Sequence, residues 1–193
     1  MNKGFSLRPE CKILRNIVLV FFALFLYSKT AWSVDGCNAT YDSAQNDAKH
    51  NCDPNDILNI GSNGSIGRNN DHTVLIRDGD DNITINNSGT IDNDKNQTIT
   101  AYEMDNLTIN NNAGGMIRSR KSSAIYIKSP ESIRINNYEN ATISSWTYGT
   151  IYHDAGSTGD IYIHNEGEIL TGTVRPSGCD NGSAPYEALI CRA

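Results

Sequence analysis

Nowhere along the chain do apolar residues recur at the three-and-four spacing of an amphipathic helix, which argues against a helical bundle. There is no CxxC pair with a histidine to accompany it, so the five cysteines do not read as a zinc site. His50, His72, His153 and His164 show no metal-ligand spacing, and there is no GxSxG nucleophile motif. No cofactor and no metal are therefore expected. The apolar run at residues 17–27, "IVLVFFALFLY", falls short of the roughly 20 residues that a membrane helix needs.

That run does fit a secretory signal. Lys3, Arg8, Lys12 and Arg15 precede it, and "AWS" at residues 31–33 supplies the small residues of a cleavage site before Val34. Once this segment is set aside, positive charge becomes scarce. Five of the 16 basic residues and one of the 22 acidic ones precede residue 34, leaving 11 against 21, a net charge of −10. Such a surface repels nucleic acid and anionic headgroups, so nucleic-acid binding is excluded. Cys11 leaves with the signal, and four cysteines remain: Cys37, Cys52, Cys179 and Cys191. An even number in an exported chain reads as two disulfides, with three connectivities open. Local pairing, Cys37 with Cys52 and Cys179 with Cys191, would tie off both ends.

Between those pairs one phrase returns five times: "LNIGSNGSI", "ITINNSGTI", "LTINNNAGGMI", "IRINNYENATI" and "IYIHNEGEI", starting at Leu58, Ile83, Leu107, Ile133 and Ile161. The intervals of 25, 24, 26 and 28 residues signal a solenoid. Apolar residues alternate within each copy, the two-residue period of a strand with one buried face. Each coil is expected to hold three short strands. The first carries the opening pair, such as Ile83/Ile85. The second centres on Ile66, Ile91, Ile117, Ile143 and Ile169, usually after a glycine (Gly64, Gly89, Gly115, Gly167) expected to supply a corner of positive φ. The third includes "TVLI", "TITAY", "SAIYI" and "GTIYH". Asn86/Asn87, Asn110/Asn111 and Asn136/Asn137 fall at equal offsets, with Asn165 at the second, and are expected to hydrogen-bond up and down the stack.

The expectation is an all-β fold: a right-handed parallel β-helix of about five coils with disulfide-capped ends. Its segments are a signal peptide (1–33), an N-terminal cap (34–56), the solenoid (57–175) and a C-terminal cap (176–193). A signal followed by imperfect I-x-I-x-N-x-G-x-I coils resembles the β-helical passenger regions of Gram-negative autotransporters and related secreted adhesins. The family's C-terminal membrane barrel has no counterpart in the residues after Thr173, so self-export is not expected. The resemblance implies a secreted, surface or periplasmic protein that binds rather than catalyses, acting as a monomer on a cell-surface protein or glycan. Polysaccharide lyases and hydrolases share the architecture and give the alternative; a truncated autotransporter remnant gives a third.

Tyr102, Tyr126 and Tyr152 each lie 19 residues after their coil start, with Arg77 at the same offset one coil earlier. They are expected to form an outward aromatic column, suited either to a sugar ring or protein partner or to stabilising the sheet as a cross-rung ladder. No catalytic residue is assigned. Asp78, Asp80 and Asp81 are the nearest carboxylate cluster and read as a solvated turn. Asp92, Asp94, Asn96, Thr98 and Glu103 match the ligand positions of a calcium loop, but Gln97 stands where that loop needs glycine.

Overall fold

A computed structural model describes residues 36–46, 50–128, 131–153 and 159–171, together with the backbone of 190–192. The expected signal (1–33), Cys179 and the side chain of Cys191, and with them the expected Cys179–Cys191 bond, lie outside the described residues. Eighteen strands follow one another: β1 (Ala39–Tyr41), β2 (Ala44–Asn46), β3 (His50–Asn51), β4 (Ile57–Ile60), β5 (Ser65–Arg68) and β6 (Val74–Ile76). Then come β7 (Thr84–Asn87), β8 (Thr90–Asn93), β9 (Ile99–Tyr102), β10 (Leu107–Asn111), β11 (Met116–Ser119) and β12 (Ile125–Lys128). The series ends with β13 (Ser132–Asn137), β14 (Thr142–Ser145), β15 (Ile151–His153), β16 (Asp160–Asn165), β17 (Glu168–Thr171) and β18 (Ile190–Arg192). Every third strand pairs in parallel, giving three six-stranded sheets: β1-β4-β7-β10-β13-β16, β2-β5-β8-β11-β14-β17 and β3-β6-β9-β12-β15-β18. This is a parallel β-solenoid, without a helix among the described residues. The N-terminal segment expected as a cap is itself a rung, since β1, β2 and β3 each join a sheet.

The alternating apolar residues build the core as columns. Leu58, Ile85 and Ile109 stack in the first sheet, Ile66, Ile91, Ile117 and Ile143 in the second, and Val74, Ile99, Ile125 and Ile151 in the third, all buried. Each such side chain stabilises the fold by about 1.5–3 kcal/mol, but only when the next coil covers it.

The register corrects the sequence alignment at two points. Leu58 pairs with Ile85, not with Ile83, so Ile60 sits under Asn87. The cause is corner length. From the column residue of the first strand to that of the second, the chain takes eight residues in the coils of Leu58, Ile109 and Ile135 but six in those of Ile85 and Ile163. The second corner, by contrast, takes eight residues in four successive coils, from Ile66 to Val74, Ile91 to Ile99, Ile117 to Ile125 and Ile143 to Ile151. Alignment on the first strand carries the variable corner into every later position.

The glycine expectation is corrected too. Positive φ falls on Asn55, Asn82, Glu103, Asn106 and Asn140 and on Gly36, Gly79 and Gly114, not on Gly64, Gly89, Gly115 or Gly167. Those four are glycine because the backbone of the preceding coil lies against them: a Cβ on Gly89 would be driven into the carbonyl oxygens of Gly61 and Gly64.

Two asparagine ladders climb the first sheet. The outer one joins Asn59, Asn86, Asn110 and Asn136 by side-chain bonds of 2.9, 2.8 and 2.8 Å. The inner one is buried up to its exposed last member, Asn165: Asn87 donates to Asn111 (2.7 Å), Asn111 to Asn137 (2.8 Å) and Asn137 to Asn165 (2.8 Å). Backbone groups at the first corner also engage it, since Gly89 N–H donates to Asn87 Oδ1 and Asn111 donates to the carbonyls of Gly115 and Thr142. At the second corner Thr73, Thr98 and Thr150 donate to the carbonyls of Asp92, Arg118 and Leu170, latching each coil to the next.

The N-terminal end closes with the Cys37–Cys52 disulfide. Asp56 Oδ2 accepts from the amides of Cys37 (2.8 Å) and Asp53 (2.9 Å). His50, fully buried, lies under Val74 at the foot of the third column with its ring 5.1 Å from that of Tyr41.

Candidate functional site

The tyrosines gather beside the second corner. In β12 and β15, Ile125 and Ile151 point inward, so Tyr126 and Tyr152 face out in direct register. Their rings stack, centroids 5.4 Å apart and 5° from parallel. Tyr102 does not share that register. Tyr126 pairs with Thr100, and Tyr102 with Lys128, because the short first corner of its coil displaces it by two residues. Two residues preserve the face, and the Tyr102 ring still meets Tyr126 edge-on at 5.9 Å. The column is real as a run of ring contacts, but only two of its members are aligned.

An open cavity of about 460 Å³ lies along this face. Tyr126 and Tyr152 line it, and Tyr102 does not. Three further residues enter that sequence reasoning missed: Tyr148, half-exposed, and Lys95 and Lys121. The lysines follow Ile91 and Ile117 by four residues each, and the β8–β11 register of Asn93 with Ser119 sets them one coil apart at the same corner position. Counting from the second apolar residue instead of the first would have revealed both. Lys95 Nζ donates to the Asn70 side chain at 2.9 Å. No carboxylate lines the cavity.

Arg77 stands apart from it. Arg77 opens the turn that carries Asp78, Gly79 (φ 83°) and Asp80, its amide donating to Asp80 Oδ2 at 2.7 Å while Asp80 N–H returns to the Arg77 carbonyl at 3.0 Å. Burial pushes the Asp80 carboxyl above its usual range, with the Arg77 amide opposing. Asp81 accepts the amide of Asp105 at 3.0 Å. Asp80 and Asp81 thus hold backbone in place, as a turn reading requires.

The calcium-like pattern is also dispersed. Asp92 receives a two-pronged bond from Arg118 (2.6 and 3.2 Å), and Asp94 pairs with Arg120 at 2.8 Å. The Asp92 hydrogen bond, first, holds the Arg118 guanidinium above its ordinary value. Thr98 is buried with its hydroxyl on the Arg118 carbonyl, and Glu103 occupies a left-handed turn at φ 46°. Among the described residues no three His, Cys, Asp or Glu side chains converge on a metal-sized space.

No protein-family model matches the chain, and neither does any curated protein or solved structure.

Proposed function

We propose that the chain is an exported β-solenoid of the autotransporter-passenger type, an adhesin or effector that binds a cell-surface glycan or protein through the tyrosine face of its third sheet. The observation that carries this reading is the assembly of Tyr126, Tyr148 and Tyr152 around one open cavity. Tyrosine offers a large apolar ring with a hydroxyl at its edge, which suits contact with a hydroxyl-rich partner. A cavity of about 460 Å³ also falls within the size range of ligand sites. Export is supported by the composition of residues 1–33 and by the Cys37–Cys52 disulfide, a bond that persists in oxidising compartments.

The test is a cell-surface binding assay with the wild-type protein and the Tyr126→Ala/Tyr152→Ala double variant, paired with a thermal unfolding curve for each. Binding by the wild type that disappears in a variant still folded at assay temperature supports the reading. Equal binding by the two proteins, or none by either, refutes it.

A further inference from the structure

The charge around the cavity runs against the charge of the molecule. From residue 34 onward acidic residues outnumber basic ones 21 to 11, yet the cavity presents Lys95 and Lys121 and no carboxylate. At the neighbouring strand the contrast is plain: Arg118 and Arg120 are held by Asp92 and Asp94 one coil back. Neither lysine has a carboxylate partner among the described residues, and the one hydrogen bond from Lys95 goes to a neutral amide. Lys95 and Lys121 hold the same corner position on adjacent coils, whose backbones lie about 4.8 Å apart along the stack, and two like charges carried so close in the chain favour an anion beside them. The stacked Tyr126 and Tyr152 rings supply a flat apolar surface beside those charges.

From this juxtaposition we infer that the cavity binds a carboxylated oligosaccharide, its sugar rings lying on Tyr126, Tyr148 and Tyr152 and its carboxylates reaching Lys95 and Lys121. A neutral glycan would leave both lysines unanswered, and an anion without rings would leave the tyrosines uncovered. Gln97, also in the lining, offers an amide to the sugar hydroxyls. The constant eight-residue second corner keeps the two lysines in step on adjacent coils, and Tyr126 and Tyr152 stand on the coil of Lys121 and the one after it, so a chain of sugars running along the solenoid axis meets cations at one end and rings at the other.

The inference rests on the binding reading above, and its test separates the two. The protein, carrying its disulfide intact, is titrated with trigalacturonate, with the fully methyl-esterified trisaccharide and with a sulfated neutral trisaccharide. Trigalacturonate should bind, and esterification should weaken it about tenfold or more, as should Lys95→Gln/Lys121→Gln and a rise in salt. Tyr126→Ala/Tyr152→Ala should weaken free acid and ester alike. Equal affinity for acid and ester, or binding of the sulfated probe alone, would overturn the carboxylate assignment. If none of the three probes binds while tyrosine-dependent binding to cells persists, the inference fails and the broader reading stands; if that is lost as well, both fail.

Discussion

Asn111→Ala should be far more damaging than Asn110→Ala, although the two residues are neighbours in β10 and each belongs to an asparagine ladder. Asn111 is fully buried. Its carboxamide accepts from Asn87 at 2.7 Å and donates to Asn137 at 2.8 Å, to Thr142 O at 3.1 Å and to Gly115 O at 3.2 Å. Truncation removes all four contacts. Asn87 Nδ2 retains the Met116 carbonyl at 3.2 Å, whereas Asn137 Oδ1 is left without a donor inside the core. At about 1 kcal/mol net per bond, with about 1–3 kcal/mol for the stranded acceptor and partial relief by the ladder's remaining contacts, the loss comes to about 4 kcal/mol. Asn110 makes two ladder bonds of 2.8 Å on a half-exposed face, where water replaces them, so about 1 kcal/mol is expected. Urea unfolding followed by circular dichroism, with the disulfide intact and the slopes compared, measures both values. A difference below about 1 kcal/mol between the variants would show that burial of the inner ladder does not set its worth, and the reasoning would be wrong.

Gly89→Ala should lower stability by about 3 kcal/mol or more, because its Cβ meets backbone carbonyls of the preceding coil, while Gly79→Ala, with open space around it but φ of 83°, should cost about 1 kcal/mol; thermal denaturation ranks them. Burial pushes the His50 imidazole below its ordinary value, and the Gly36 backbone offsets this only partly. Above about pH 6.5 both folded and unfolded states hold a neutral His50, so nothing is lost; as pH falls below that value the unfolded state alone takes up the proton and stability drops. Melting curves from pH 8 to about pH 5 should show this drop in the wild type and a shallower one in His50→Leu; parallel curves would remove His50 as its source. Reducing Cys37–Cys52, which are 15 residues apart, should cost about 3 kcal/mol and loosen β1 to β3 first, as amide exchange with and without reductant would report. Uniform loss of protection along the whole solenoid would contradict that order.

The three-strand coil was legible because its signal is local: alternation in "ITINNSGTI" gives the strand, and its recurrence gives the stack. The asparagine ladders were legible for the same reason, since they lie in the first strand, ahead of the corner whose length varies. What failed was distance counted across a corner of unequal length. Leu58 and Tyr102 were each placed two residues out, an error that leaves a side chain on its proper face and so goes unnoticed in a hydrophobic pattern. Tyr148 belongs to the cavity but to no repeat position, and nothing in the alternation marks it. The corner glycines were noticed for the right spacing and the wrong cause. Their backbone is ordinary; it is the neighbouring coil that leaves no room, and a neighbour is something a single phrase cannot reveal.

The unequal corners have a consequence for how such a chain can change. A segment that may take six residues or eight without disturbing the strands on either side is a place where length is free, and the first corner is such a place in this molecule. The second corner takes five residues in the first rung, from Gln45 to His50, but eight in each of the next four coils, and it is this constancy that aligns the tyrosine face: add or remove a residue there and Lys95 no longer answers Lys121, nor Tyr126 Tyr152. Loops grafted at the first corner should therefore leave the tyrosine face untouched, whereas a single-residue insertion at the second would break the face while the core columns above and below it remain stacked.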